Sequence, residues 1–236
     1  GGTETSYIKK DGTGYFGSNL GIGTTNAYVG GVSGNASLNV LHSTAGQWVM
    51  QGRADTNNAN GLFIRAGSAA SDTTALFTGA DEANVAMKID GVGIVTKPLQ
   101  PAFLATKSSK QSNVAVGSAV TVVFDTEVFD QNADFSSNTF TAPVTGKYQL
   151  NLSLYTNEID SAADYYMAVI KTSNREYQNV IDPGVLASDP VYWNQGVSVL
   201  ADMDANDTAY VFIQQGNGNQ QTDVATPSFF SGYLVA

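Results

Sequence analysis

Side chains that commonly carry out catalysis are few in this sequence and form no recognisable motif. The sole histidine, His42, lies in the segment Leu41-His42-Ser43-Thr44. A Ser-His-Asp hydrolase needs a histidine oriented by a carboxylate beside a serine, and no spacing around His42 matches that arrangement. Glycoside hydrolysis needs two facing carboxylates; Asp160 and Asp164 are of the right type, but no pattern assigns one as acid and the other as base. The sequence therefore predicts a protein that is not an enzyme.

Acidic residues offer one metal-binding hypothesis. In residues 202–207, which read DMDAND, oxygen ligands recur as they do in a calcium loop. The segment lacks the glycine at position six and the glutamate at position twelve that this loop needs, so we interpret it as a turn between strands. Calcium is the only cofactor predicted, and the alternative is a solvated acidic surface. Its candidate ligands are Asp160, Asp164, Asp182 and Asp189.

Polar and aromatic side chains in predicted loops are candidates for binding. Tyrosine and tryptophan rings stack on sugars or fill a partner's pocket, and the amide-rich run QQGNGNQQTD at 214–223 suits carbohydrate hydroxyls. The alternatives are a plain polar loop and, because Tyr165-Tyr166 and Tyr192-Trp193 place one ring on each sheet face, burial of at least one ring of each pair. The candidate receptor-binding residues are Asn157, Asp160, Asp164, Tyr165, Asp182, Asp189, Tyr192, Trp193, Asn217, Asn219, Gln220 and Asp223.

These residues require a β scaffold, because short β-branched and aromatic runs recur and helical periodicity does not. From Gly146 onward, apolar residues alternate with mainly polar ones up to Leu154, which predicts a half-buried strand. Predicted strands in this half span about 103–107, 120–125, 140–141, 146–156, 165–172, 176–181, 192–201, 208–215 and 229–235. Since alternate strands reverse direction, connections 157–164, 182–190 and 216–227 should lie at one end, opposite the N-terminal segment.

Composition divides the chain into two predicted domains. Seventeen of the 24 glycines precede Lys97, whereas all six prolines lie from Pro98 onward. We therefore predict a Gly-rich β shaft at 1–97 and a second domain at 98–236. The Gly-rich part has few side chains with which to build a core, which favours a homotrimer sharing one; the alternative is a small independent β-sandwich.

Charge and hydropathy exclude two classes of partner. The net charge is −10, and the only basic cluster is Lys9-Lys10, whereas binding phosphates needs a concentration of Lys and Arg. No apolar run approaches the about 18 residues of a membrane span. Nucleic acid and membrane insertion are therefore not predicted. The absence of cysteine rules out disulfides and leaves the compartment open.

Two segments of the second half carry a family resemblance. Residues 140–148 read FTAPVTGKY and residues 229–233 read FFSGY. Together they resemble the globular head domain of complement and collagen-like proteins, a ten-strand jelly roll shared with the tumour necrosis factor superfamily. The family's ordered positions are filled by Phe124, Asp130, Phe135, Phe140, Gly146 and Tyr148. The resemblance implies a trimer, with core candidates Phe103, Tyr148, Phe230 and Tyr233.

The first half carries a second resemblance. YFGSNLGIGTTN at 15–26, followed by SLNV at 37–40, resembles segments of bacteriophage tail fibres, and MKIDGVGIVTKPLQPAF at 87–103 is similar to the junction between a fibre shaft and its tip. Strands are also predicted at 48–51, 62–65 and 75–78. The Asp90-Gly91 pair predicts a hairpin over 86–95 with a two-residue type I′ turn.

The resemblances imply a virion protein, extracellular when it functions. It would form the distal part of a trimeric phage fibre or tail tip, bind a host surface glycan or protein through loops of its head, and contact other virion proteins at its N-terminal end. Two alternatives remain: a structural trimerisation or capsid-decoration protein, and a polysaccharide depolymerase. Because the sequence begins Gly1-Gly2, a longer N-terminal portion is expected to precede it.

Overall fold

The computed structural model describes the backbone of residues 6–8, 14–16 and 74–79, and the backbone and side chains of residues 85–90 and 92–236. The chain divides into two compact units, residues 1–64 and 65–236. In the first, β1 (Ser6–Ile8) pairs antiparallel with β2 (Gly14–Phe16). Several predicted features lie outside the described residues: His42, residues 17–26 of the segment at 15–26, the segment at 37–40 and the predicted strands at 48–51 and 62–65. The shaft and the boundary at 97 therefore stay predictions.

The second unit begins with a small antiparallel sheet of β3 (Thr74–Gly79), β4 (Val85–Asp90) and β5 (Val95–Thr96). The predicted hairpin is present, but its turn is not the two-residue type I′. Asp90 pairs with Ile94 across a three-residue loop, and the Asp90 carboxylate accepts the amides of Val92 (3.0 Å) and Ile94 (2.9 Å). A type I′ turn would need a positive φ at Asp90, whereas the positive φ found in this loop is that of Gly93 (+89°).

The remaining strands form a sandwich of two antiparallel sheets, which confirms the predicted all-β sandwich. The β11 sheet has the order β14-β11-β17-β6-β8, with β16 beside β11. Its strands are β6 (Ala102–Thr106), β8 (Thr126–Gln131), β11 (Gly146–Asn157), β14 (Tyr192–Met203), β16 (Asp223–Val224) and β17 (Phe229–Leu234). Among the described residues, no helix is long and apolar enough to span a membrane.

The facing sheet, the β15 sheet, has the order β13-β12-β15-β10-β9, with β7 beside β15. Its strands are β7 (Ala119–Thr121), β9 (Phe135–Ser136), β10 (Thr139–Thr141), β12 (Tyr165–Thr172), β13 (Glu176–Ile181) and β15 (Thr208–Gly216). The predicted strand 120–125 ends early, because the amides of Val123 and Phe124 donate to the side chains of Gln111 (3.0 Å) and Asn138 (2.8 Å) instead of a ladder. Strands β8, β9 and β16 were not predicted.

The core lies between the sheets and centres on Phe103. Its ring stacks on Phe135 and Phe140, with centroids 5.0 and 4.8 Å away, and meets Phe230 edge-on at 5.0 Å. Gly232 makes room for this cluster, since a Cβ there would lie 2.8 Å from the Phe103 ring and 2.7 Å from Leu150.

Three of the four residues predicted to form the trimer core lie in the core of a single chain instead. Phe103, Tyr148 and Phe230 are buried inside a single chain, and the Tyr148 hydroxyl donates to the carbonyl of Val144 at 2.7 Å. They stabilise the protomer and do not form a surface between protomers. Only Tyr233, half-exposed on the outer face of the β11 sheet, lies where another chain could reach it.

Replacing the central ring should destabilise the sandwich. We expect Phe103→Ala to lower the free energy of unfolding by about 3–5 kcal/mol, because it removes a large buried ring and its stacking partners cannot fill the space. Tyr192→Ala, at a ring that is 62% exposed, should change it by less than about 1 kcal/mol. Urea unfolding followed by circular dichroism measures both. Equal losses for the two variants would contradict this account of the core.

Candidate functional site

The three predicted loops meet at one end of the sandwich, the tip. The amides of Glu158 and Ile159 donate to the carbonyls of Val191 and Pro190, both at 3.1 Å. The amide of Asp164 donates to the carbonyl of Gly216 at 2.6 Å, which joins the third loop. Segment 97–101 enters the sandwich at the other end, where Ala102 pairs with Tyr233. The expected collection of the three loops at one end is therefore confirmed, and that end lies opposite segment 97–101.

A buried carboxylate, Asp160, holds two of these loops together. One oxygen accepts the amide of Ala162 (2.8 Å), and the other accepts the amides of Gln220 (2.7 Å) and Asn219. Burial alone would raise the pKa of Asp160, but the three main-chain amides outweigh it and hold the pKa below its usual value of 3.8. We call this arrangement the Asp160 clamp. Because Asp160 is only 4% exposed, it fixes the tip rather than contacting a partner.

Asp223 makes a second buried contact at the tip. Its carboxylate accepts hydrogen bonds from the ammonium group of Lys110 at 2.5 Å and from the main-chain amide of Asn113 at 2.7 Å. Burial raises the pKa of Asp223, the donors lower it, and the net shift is downward. Lys110 was missed by the sequence reasoning. The signal that could have found it is the polar run 107–113, KSSKQSN, between two predicted strands.

Strand register brings three predicted residues into one row. Asn157 is the Cα partner of Tyr192 on one side and of Asp223 on the other, and Lys110 lies beyond Asp223. The alternating burial of β11 places Asn157 on the outer face of its sheet. We call these four residues the tip row. Its Tyr192 ring lies 5.9 Å from that of Tyr155, which supports it from the same face.

The tip row combines a flat aromatic surface with hydrogen-bonding groups of several kinds. Tyr192 supplies an exposed ring, and Lys110 supplies a half-exposed ammonium group. The side-chain oxygen of Asn157 is buried, and within the described part of the chain it has no hydrogen-bond partner. An unmet acceptor costs roughly 1–3 kcal/mol, which a donor from a ligand or a water would offset. The row can therefore stack on and hydrogen-bond a polar ligand.

Most of the other predicted binding residues hold the loops in place. Asp189 accepts the amide (2.8 Å) and hydroxyl (2.5 Å) of Ser161, and Asp182 accepts the amide of Gly184 (2.9 Å) at a 3₁₀ turn. Asp164 accepts the side-chain amide of Asn217. Two predicted aromatic residues are half-buried: the Tyr165 hydroxyl accepts a hydrogen bond from the side chain of Gln214 at 3.0 Å, and Trp193 packs on the core. Asn219 and Gln220 are exposed.

The structure does not gather the predicted calcium ligands. In residues 85–90 and 92–236, no three acidic or histidine side chains converge as a metal site. Asp160, Asp164, Asp182 and Asp189 each bind separate amide or hydroxyl donors, as described above. The segment at 202–207 is the predicted turn: Asp207 donates its amide to the carbonyl of Asp204 at 3.0 Å, and Asn206 has a φ of +74°.

Comparison with known proteins finds one matching family model and several similar structures. A model of the C1q domain matches residues 102–235, which is more than half of the chain. The solved globular domain of zebrafish complement 1qA is 16% identical with a TM-score of 0.41, covering 58% of this chain and 98% of that one. The crystal structure of murine APRIL at pH 8.0 is 11% identical with a TM-score of 0.43, and the match covers 58% of this chain and 99% of that one. Curated protein sequences gave no match.

The Asp160 clamp predicts that acid weakens the domain. Because the folded-state pKa of Asp160 lies below 3.8, its stabilising effect is present above the unfolded-state value and is lost as the pH falls through the folded-state value. At pH 7 we expect Asp160→Asn to lower the melting temperature by roughly 5 °C, as expected for about 1–2 kcal/mol of lost charged hydrogen bonding. Near pH 2 the difference should shrink.

Thermal melts of both proteins across this pH range measure the effect. Glu127→Gln, at an exposed position of β8, is the matched control and should leave the melting temperature unchanged at either pH. A deficit for Asp160→Asn that is equally large at both pH values would rule out titration of the clamp as the cause.

Proposed function

The chain belongs to the C1q domain family, and from this premise we propose that it is the distal, receptor-binding part of a trimeric bacteriophage fibre or tail tip. Domains of this family are structural or ligand-binding modules, typically extracellular, and they commonly form homotrimers. The viral context is supported by the fibre-like segments at 15–26, 37–40 and 87–103.

The outer face of the β11 sheet supports assembly with further copies. Three large apolar side chains on it are about half exposed: Phe129 of β8, Leu200 of β14 and Tyr233 of β17. In the described strands of the β15 sheet, Val180 is the only large apolar side chain that is comparably exposed. We propose that copies of the chain cover the β11 face, since a closed ring of identical subunits removes this surface from water.

The tip row is the observation that carries the binding function. It lies at the end of the sandwich away from the chain entry, so a fibre would present it outward. The Tyr192 ring can stack on a sugar face, and the groups beside it can bond hydroxyls, so we propose a surface glycan as the ligand. A trimer presents three such rows on one rigid body, which raises the affinity for a repeating surface far above that of one site.

A purely structural role is the alternative, and the apolar β11 face favours it, because assembly alone would account for that face. A depolymerase has less support. Asp160, one of its two proposed carboxylates, is buried and bound by three main-chain amides, which is unsuited to exchanging a proton with substrate.

A trimer has a defined mass in solution, and a substitution in the proposed interface should lower that mass. Light scattering should give about 74 kDa, which is three times the chain mass of 24.8 kDa. Phe129→Asp should give a folded protein of lower mass, because a charge would be buried between subunits. Val180→Asp, on the β15 sheet, should leave the trimer intact. A monomeric native chain, or an intact Phe129→Asp trimer, would contradict the proposed interface.

The binding role predicts a loss of glycan affinity at the tip row. On an array of bacterial surface polysaccharides, we expect Tyr192→Ala to weaken retention at least roughly tenfold, the effect of losing a stacking contact worth about 1.4 kcal/mol or more. Asn157→Ala should weaken it further in the same background. Tyr210→Ala, on the β15 sheet, is the matched control. If the native trimer binds no glycan, or binds as well without these side chains, the structural role is the better account.

A further inference from the structure

The loop that follows β15 contains a chemically labile pair, Asn217-Gly218. The sequence has one other such pair, Asn60-Gly61, which lies outside the described residues. An asparagine followed by glycine is prone to lose its side-chain amide, because glycine offers no side chain to hinder attack by its own main-chain nitrogen. Asn217 is exposed to solvent, so water can reach the product of that attack.

The local backbone favours asparagine or glycine at 217 and requires glycine at 218. Asn217 has a φ of +55°, in the left-handed region that asparagine and glycine tolerate best. Gly218 has a φ of +102°, and a Cβ on it would lie 2.6 Å from a carboxylate oxygen of Asp160 and 3.0 Å from the side chain of Gln215. Any other residue at 218 would disrupt the Asp160 clamp, so the labile pair is tied to the shape of the tip.

The side chain of Asn217 also holds the loop. Its amide group donates to the exposed carboxylate of Asp164, at the start of β12. The carbonyl of Asn217 accepts a hydrogen bond from the side chain of Gln215 at 3.2 Å, and Asn219 and Gln220, two and three positions further on, supply amides to the Asp160 clamp. A chemical change at Asn217 therefore acts on a point where two loops are joined.

We propose that Asn217 is a site of spontaneous deamidation that loosens the tip. The main-chain nitrogen of Gly218 attacks Cγ of Asn217, the bond from Cγ to the amide nitrogen breaks, and that nitrogen leaves as ammonia, carrying the proton that Gly218 gave up. Water then opens the cyclic imide. Opening at Cγ gives aspartate, and opening at the main-chain carbonyl gives isoaspartate, in which the backbone runs through the former side chain.

Both products oppose the contacts that hold the loop. The new carboxylate replaces an amide donor opposite Asp164, so a hydrogen bond becomes a repulsion between like charges. Isoaspartate also adds one carbon to the main chain, which shifts the amides of Asn219 and Gln220 away from Asp160. This inference goes beyond the proposed function and does not rest on it, since it concerns the covalent stability of the chain itself.

The conversion is measured on the purified full chain, kept folded in mildly alkaline buffer and sampled by peptide mass mapping. We expect the peptide that contains Asn217 to gain the mass of an NH₂-to-OH exchange and to separate into two products. A urea-unfolded sample gives the intrinsic rate for the same peptide. If Asn217 remains intact in the folded protein when the unfolded sample has converted, the tip protects it and the proposal is wrong.

The loosening is measured by hydrogen exchange. In aged protein and in Asn217→Asp, the amides of Asn219 and Gln220 should exchange roughly tenfold faster, as expected for loss of a hydrogen bond to a charged group, while β12 amides stay unchanged. Asn217→Gly, which suits the positive φ and cannot deamidate, should not change with age. In the double variant Asn217→Asp with Asp164→Asn, the side chain at 164 becomes the hydrogen-bond donor and the one at 217 the acceptor. This variant should restore the protection of the Asn219 and Gln220 amides from exchange. Unchanged exchange in Asn217→Asp, or no rescue in the double variant, would refute the mechanism.

Discussion

Strand β11 is the element on which the rest of the domain depends. It is paired with β14 along all twelve of its residues, and with β17 and then β16 on its other side. Its side chains alternate strictly, so every second residue from Tyr148 to Thr156 points into the core between the sheets. The residues between them form the outer face of the β11 sheet. A shift of register by one residue would exchange these sets, so the same pairing fixes the core, the proposed subunit surface and the tip row.

The sequence predicted the parts of the fold that follow from local alternation. Strand β11 was predicted almost to its ends, because its apolar residues repeat every second position. Strand β8 was not, because its residues TEVFDQ show no such alternation and all of the first four are exposed. The interior position of Phe103 and Phe230 was also missed, since an aromatic residue in a strand does not show whether its ring meets the same chain or another copy.

Acidic residues at the tip show a different limit of sequence reasoning. A carboxylate that binds a cation and one that accepts main-chain amides look alike in a sequence. Asp160 and Asp223 take the second role because residues about 60 and 110 positions away bring N–H groups to them, and only the folded chain reveals those partners. The row formed by Asn157, Tyr192 and Asp223 depends in the same way on long-range register.

The Asp160 clamp recognises main-chain N–H groups, and these are present whichever residue other than proline stands at 219 and 220. The exposed side chains of that loop can thus be exchanged by mutation while its path is preserved. Such an arrangement separates the frame of the tip from the surface it displays. For a protein under selection to follow a changing partner, new surface chemistry can then arise one substitution at a time without a loss of foldedness.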